Sequence, residues 1–330
     1  MSVATSSLRN DAVYAALDLG TNNCRMLVAR PTARAFRVID AFSRVTRLGE
    51  GLGASGVLSE PAMARTLDAL EACVEKLERN RVGRARLVAT EACRRAANGP
   101  EFTERITERT GLTPEIISPH EEAGLALAGC ASLLKPHVPW ALVFDIGGGS
   151  TELLWVRNSA AGQSVVGIQS IPTGVVTLAE QWANELGSQA GYRLVVDQIR
   201  RAFAPFESLH TIASQMTGGL VQMLGTSGTV TTLGALHLGL DRYDRSRVDG
   251  LELDFHDIAA VTGKLTAMTV AERAAHPCIG QERADLVVAG CAILEAVCRL
   301  WPLGKLRVAD RGVREGVLLQ MMKDDGLKMS

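Results

Sequence analysis

The sequence predicts an α/β protein with mixed sheets, made of two similar halves, and three features carry that reading. Residues 14–30, YAALDLGTNNCRMLVAR, lie over residues 141–157, ALVFDIGGGSTELLWVR, without a gap. Asp18 then meets Asp145, Gly20 meets Gly147 and Arg30 meets Arg157. Each copy is an apolar strand, an acidic residue, a glycine-containing tight turn and a second apolar strand, the mark of a duplicated unit. After each copy strands alternate with amphipathic helices, as in α/β layers. A length of 330 residues has room for about two domains.

The elements follow in order. Strands are expected at 13–19, 25–30 and 36–42, apolar runs parted by polar turns. Residues 48–56 read as a glycine-rich loop. It contains Gly51-Leu-Gly-Ala-Ser-Gly56, a GxGxxG match that stands third in its unit and opens no helix, so it is no dinucleotide fingerprint. Ser59 and Pro61 open a helix to about Glu78, with Leu67, Leu70, Val74 and Leu77 on one face. A strand at 85–89, a helix ending near Gly111, a short strand at 115–118 and a helix at 121–134 complete the half. Pro136 and Pro139 mark the passage onward. The second half repeats the theme with strands at 141–146, 151–157 and 164–171 and helices around 175–186 and 194–207. A buried strand at 220–224 runs into the turn Gly225-Thr226-Ser227-Gly228 and another helix. Helices at 256–268 and 282–300, a strand at 306–309 and a terminal helix at 312–323 follow. The expected domains are 1–125 and 126–330, with the terminal helix free to pack back onto the first.

Composition narrows the function classes. Hydrophobic residues make up 47% and charged residues 22%, ordinary for a packed globular chain. Aromatics at 4% argue against stacking platforms for single-stranded nucleic acid. The net charge is −1 and neither half is basic, so no nucleic-acid partner is expected. The arginines at 79, 81, 84 and 86 read as a solvated corner. Seven cysteines with no CxxC, and no histidines at ligand spacing, read as reduced cytoplasmic thiols rather than zinc ligands. The first eleven residues lack a signal-peptide core, and no apolar run approaches the ~18 residues of a membrane span.

The loop Asp145-Ile-Gly-Gly-Gly-Ser-Thr-Glu152 is the strongest chemical signal. Gly147, Gly148 and Gly149 remove every Cβ from the turn, so backbone N–H groups can approach an oxyanion. Ser150 and Thr151 add hydroxyls, and Asp145 and Glu152 flank the turn as a carboxylate pair suited to Mg²⁺. The first copy, Asp18 to Cys24, gains weight from its register with the second; Thr21, Asn22 and Asn23 are turn formers and phosphate donors. Two such loops imply a cleft between the domains that handles a phosphorylated ligand. The turn Gly225–Gly228 reads equally as an anion site and as a plain helix start capped by Ser227 or Thr229. Glu121 and Glu122, by composition, are acids in a first helical turn. No GxxxxGK[ST] occurs.

Seven segments in order, YAALDLGTNNCRMLVA, ATEACRRAANGPEF, ISPHEEAGLAL, VFDIGGGSTELLWV, IPTGVVTLAE, GTSGTVTTLGALHLGLDRYD and ADRGVREGVLL, span nearly the whole chain. Together they resemble the exopolyphosphatase/guanosine pentaphosphate phosphohydrolase (Ppx/GppA) family, in its short two-domain subclass. The resemblance implies two ribonuclease-H-like domains of the actin-like ATPase superfamily with an interdomain cleft. It implies hydrolysis of a terminal phosphoanhydride, with orthophosphate released from inorganic polyphosphate, short chains preferred, or alternatively from guanosine pentaphosphate. A superfamily sugar or acetate-type kinase and an actin-like filament protein fit less well. It assigns Glu122 as general base with Glu121 as second candidate, since Pro119-His120 stands where the family often has glycine. Asp145 and Glu152 become metal and catalytic carboxylates, with Asp18 a third metal contact and Mg²⁺ or Mn²⁺ as cofactor. Phosphate falls to Asp18, Gly20, Thr21, Asn22, Asn23, Cys24 and Arg94 on one side. On the other it falls to Gly147, Gly148, Gly149, Ser150 and Thr151, with Gly225, Ser227 and Gly228 beside them. A homodimer is expected on the same ground.

Overall fold

The computed structural model describes residues 12–33, 35–159 and 162–327. The leading segment read for signal-peptide character lies outside them, through Asp11. The chain divides into two compact units, Met1–Gly129 with Val313–Ser330, and Cys130–Gly312. The division expected at residue 125 thus falls at Gly129, and the C-terminal helix Val313–Asp324 counts with the first unit.

The first unit holds a five-stranded sheet of β1 (Tyr14–Leu19), β2 (Asn23–Pro31), β3 (Phe36–Val45), β4 (Arg84–Ala89) and β5 (Pro114–Ile116). Its order is β3-β2-β1-β4-β5; β1, β2 and β3 are antiparallel neighbours, while β4 and β5 run parallel to β1. The apolar run of β1, interrupted only by Asp18, reflects burial on both faces. Val13, Ala15, Leu17 and Leu19 enter one core with Leu67 and Leu70 of α1 (Glu60–Arg79). Tyr14 and Ala16 enter another with Val317, Leu318 and Met321 of the C-terminal helix. The helix comes this close because Gly316 faces the Leu125 carbonyl, where a Cβ has no room.

The helix expected to end at Gly111 is two, α2 (Glu91–Arg95) and α3 (Gly99–Thr110). Asn98 breaks it by bonding Leu58 on both sides, accepting from its N–H (2.8 Å) and donating to its carbonyl (3.0 Å). The glycine-rich segment is not all loop: Leu52–Ser55 forms one helical turn between Gly51 and Gly56, both at positive φ. The last helix of this stretch, α4 (Pro119–Cys130), carries both candidate glutamates in its first turn.

The second unit repeats the plan with β6 (Trp140–Ile146), β7 (Thr151–Ser159), β8 (Gly162–Ile171), β9 (Val221–Thr226), β10 (Glu252–Asp254) and β11 (Lys305–Ala309). The order is β10-β11-β9-β6-β7-β8, with β9 and β11 parallel to β6. Both sheets therefore have the ribonuclease-H-like order, three antiparallel strands followed by two parallel ones, and the second adds β10 at its edge. Sequence periodicity gives no sign of β10, three residues with acids at both ends. It forms because Leu253 pairs with Leu306 and buries. The helices that follow are α5 (Val175–Gln181), α6 (Gln189–His210), α7 (Gly228–His237), α8 (Phe255–Ala267) and α9 (Val287–Leu300). A short helix at Val270–Ala275 also went unread, although Thr269 and Glu272 spell its capping box.

None of the seven cysteines forms a disulfide. Among the described residues no helix is long and apolar enough to cross a membrane.

Candidate active site

In the first unit, β1 and β4 run parallel, so the loop after β1 and the start of α2 leave the same edge of the sheet. The N–H of Gly20 donates to the Asn23 carbonyl (2.9 Å) and closes the hairpin. The Thr21 carbonyl accepts from Gly49 N (2.9 Å), and that of Asn22 from Thr46 and Arg47 N (2.9 and 3.0 Å). The loop thus turns its carbonyls into the protein. Among the described residues the N–H groups of Thr21 and Asn22 donate to no acceptor. Buried acceptors Asn22 Oδ1, Asn23 Oδ1 and Thr46 Oγ1 also lack partners there, and such groups mark places that water or ligand completes. Cys24 needs correction as a phosphate contact: its thiol is fully buried and bonded toward Cys73, so only its backbone remains.

Asp18 stands opposite Arg25 across β1 and β2. Burial raises its carboxyl above the ordinary value, against the pull of Arg25 and Arg314.

Arg94 organises the carboxylates of this unit. Its Nη1 donates to the Ile117 carbonyl (2.7 Å) and to Glu122 Oε2 (3.2 Å). Its Nη2 donates to Glu91 Oε2 (3.0 Å) and to the same Glu122 oxygen (3.3 Å). The adjacent acid is placed otherwise: Glu121 Oε1 accepts from Arg86 Nη2 (2.6 Å), and Arg86 also bonds Glu115 and Gln320. Glu122 is 12% exposed against 40% for Glu121, which makes Glu121 a structural partner of the sheet. Glu91 was not singled out by the sequence; its only signal was an acid three residues before Arg94 on a short helix.

The second loop repeats two bonds of the first. Gly147 N donates to Ser150 O (2.9 Å), as Gly20 does to Asn23, and Val176 N to Gly148 O (2.8 Å), as Gly49 does to Thr21. Val175 N closes on Gly147 O (3.0 Å). Among the described residues the N–H groups of Gly148, Gly149 and Ser150 donate to no acceptor, a concave row of donors suited to an anion. The hydroxyl roles expected of Ser150 and Thr151 need correction. Ser150 Oγ donates to Glu152 Oε1 (2.7 Å) and Thr151 Oγ1 to the Thr173 carbonyl (2.6 Å), so their single protons are spent.

Asp145 and Glu152 are direct cross-strand partners on β6 and β7. In such pairs the Cβ atoms stand about 4.5–5.5 Å apart, and two like charges there repel. The equivalent pair in the first unit is Asp18 with Arg25, opposite in sign. The second unit instead gathers two hard oxygen donors, and Ser170 Oγ together with Ser150 holds Glu152 in place (2.7 Å). This donor set fits Mg²⁺, which needs one or two carboxylates plus water and phosphate oxygens. Among the described residues no group of three or more metal-type side chains occurs.

Ser227 caps α7, accepting from Val230 N (3.1 Å), at φ 152° and ψ 169°, a region costly for any side chain. Gly225 is explained by packing: a Cβ there would stand 2.5 Å from the Phe144 ring. Nearby lies a network the sequence reading left unassigned within its LDRYD and ADRG segments. Tyr243 Oη donates to Asp310 Oδ2 (2.7 Å), Arg311 Nε to Asp249 Oδ2 (2.7 Å), and Thr226 Oγ1 to the Arg311 carbonyl (2.6 Å). Since β6, β9 and β11 are parallel, this network, the glycine loop and the Ser227 turn all leave one sheet edge, where ligands of α/β sheets bind.

Comparison with known proteins places this arrangement. The sequence profile of the Ppx/GppA phosphatase family matches residues 27–325. The chain is similar to the crystal structure of an exopolyphosphatase-like protein, with 29% identity, TM-score 0.85, and 94% of this chain and 97% of that one covered. It is similar to the Ppx/GppA family member of Aquifex aeolicus, with 28% identity, TM-score 0.78, and coverage of 95% and 98%. An exopolyphosphatase from Cytophaga hutchinsonii shares the fold at 24% identity, TM-score 0.84, and coverage of 96% and 99%.

Proposed function

Because this chain belongs to the Ppx/GppA phosphatase family, we propose that it is an exopolyphosphatase, releasing orthophosphate from the end of inorganic polyphosphate by metal-assisted hydrolysis. One observation carries the reading: two hairpins that share two hydrogen bonds at one sequence offset, each with carbonyls turned inward and N–H groups left for an anion. A polyanion with repeated phosphates is the ligand class that suits two copies of one phosphate loop.

The family's motifs assign each residue its role. Glu122 orients the attacking water and takes its proton as the new P–O bond forms and the bridging P–O bond breaks. Arg94 and the loop N–H groups hold the equatorial oxygens of the transferring phosphoryl group. Asp145 and Glu152 would hold Mg²⁺ or Mn²⁺, with Asp18 a third candidate carboxylate; the metal would neutralise charge on the phosphoryl oxygens. Positioning and electrostatics supply most of the catalysis in such transfers. We propose a cytoplasmic setting, which seven cysteines outside any disulfide support. We also propose a homodimer, which a molar mass measured by light scattering at micromolar protein would support or remove.

Phosphate release from tripolyphosphate, long polyphosphate and guanosine pentaphosphate under one set of conditions tests the assignment. We expect polyphosphate to be cleaved, the short chain fastest, with long chains shortening gradually on gels. Release from guanosine pentaphosphate alone would move the activity to that nucleotide, and formation of ATP from ADP would make the protein a kinase.

A further inference from the structure

We infer that Glu91 is the positioning residue for Arg94, keeping the guanidinium at the site while a substrate phosphate takes the place of Glu122; this rests on Arg94 as a phosphate ligand, as proposed above. A guanidinium has five N–H donors. Four of Arg94's, those on Nη1 and Nη2, are engaged: one by the Ile117 carbonyl, one by Glu91 and two by a single oxygen of Glu122. Among the described residues, only Nε–H is left for an incoming oxygen. A phosphate can take two parallel bonds from Arg94 only if one carboxylate lets go.

The distances say which. Both bonds to Glu122 are long, 3.2 and 3.3 Å, and converge on one oxygen, the weaker geometry. The Glu91 bond is 3.0 Å, and the Ile117 bond 2.7 Å. Glu91 and Arg94 are also three apart on one helix, so their approach is built into the backbone. That backbone is tied to the first loop's strand through Thr90 N to Leu19 O (3.1 Å). Glu122 comes from α4, a different element. Exchange of Glu122 for phosphate therefore leaves Arg94 held by Glu91 and the Ile117 carbonyl. It also frees the Glu122 oxygen for the water that this residue is to deprotonate, so binding of substrate and arming of the base become one event.

A double-mutant cycle decides it. Kinetics on tripolyphosphate are measured for wild type, Glu91→Ala, Glu91→Gln, Arg94→Ala and the Glu91→Ala/Arg94→Ala double variant. Loss of an anchor that acts equally on bound substrate and transition state raises KM and spares kcat. Glu91→Ala should raise KM about tenfold and change kcat by less than about threefold, the range for losing one bond to a charged group. Glu91→Gln, which keeps an acceptor, should recover most of that loss. In the Arg94→Ala background, Glu91→Ala should add less than about twofold. The same five proteins are compared for protection by tripolyphosphate against thermal unfolding, which reads binding without turnover. An equal loss from Glu91→Ala with and without Arg94, or no recovery with glutamine, overturns the inference and leaves Glu91 a helix-start acid. If the wild type releases no orthophosphate, the proposed activity fails, and the cycle in thermal protection still decides the role of Glu91.

Discussion

Replacing Gly174 with alanine perturbs the second phosphate loop without replacing any residue assigned to the reaction. Gly174 precedes α5 at φ −117° and ψ 173°, extended backbone that alanine adopts freely, so no conformational strain enters. The methyl group would lie 2.5 Å from Gly149 N and nearer still to the Gly148 carbonyl. Ordinary contacts between such atoms are ~3.5–4.0 Å. The loop or the start of α5 must therefore move by about 1 Å, and since both sides of the clash are backbone, no rotamer change relieves it. The bond from Val176 N to Gly148 O (2.8 Å) stands across the same gap and stretches with it. Overpacking of this kind costs ~1–3 kcal/mol. A ~1 Å misplacement of a positioning group costs ~10² in rate. Phosphate release from tripolyphosphate gives kcat/KM, and urea midpoints give the stability change. A companion variant against the first loop, Gly49→Ala, meets the Thr21 side chain instead, its methyl Cγ2 closest and Cβ at 3.4 Å. Adding Thr21→Ser removes that methyl and should restore most of the loss. Full kcat/KM and an unchanged midpoint in Gly174→Ala would refute the argument that this loop's backbone position matters.

Further outcomes follow from the same geometry. Glu122→Gln should lower kcat by ~10² or more, the scale of general-base effects, whereas Glu121→Gln should be mild in rate because that acid serves Arg86; the reverse order in initial-rate assays would move the base by one residue. Excess chelator should abolish phosphate release while far-ultraviolet circular dichroism stays unchanged, and Asp145→Asn should mimic it; full activity in chelator removes the metal from the reaction. Glu252 is pulled down to about 2 by hydrogen bonds from Lys135 and Arg307. A depressed carboxylate stabilises the fold above its unfolded value of about 4.3, and that stability is lost as pH falls from there toward about 2. Urea midpoints between these pH values should therefore decline less steeply for Glu252→Gln than for wild type.

Much of this protein was legible in the chain because its signals are local. The offset between Asp18 and Asp145 revealed the duplication, and the two hairpins repeat their bonds in the same offset. Two-face burial of β1 and β6 was written in apolar runs that only Asp18 and Asp145 interrupt. Three glycines in a row disclosed a turn whose backbone N–H groups no side chain covers. Tertiary contact decided the rest. Whether Glu121 or Glu122 turns toward Arg94 depends on where α4 meets β4, which no spacing encodes. The hydroxyls of Ser150 and Thr151 looked available until Glu152 and Thr173 arrived beside them from β7 and the end of β8. Gly225 resembles a ligand-binding glycine in sequence, and only the Phe144 ring pressed against it shows a packing role. Backbone periodicity and turn chemistry act within a few residues and are readable from the chain. The partner of a polar side chain is set by strands and helices brought from far away in sequence, and only the fold brings them together.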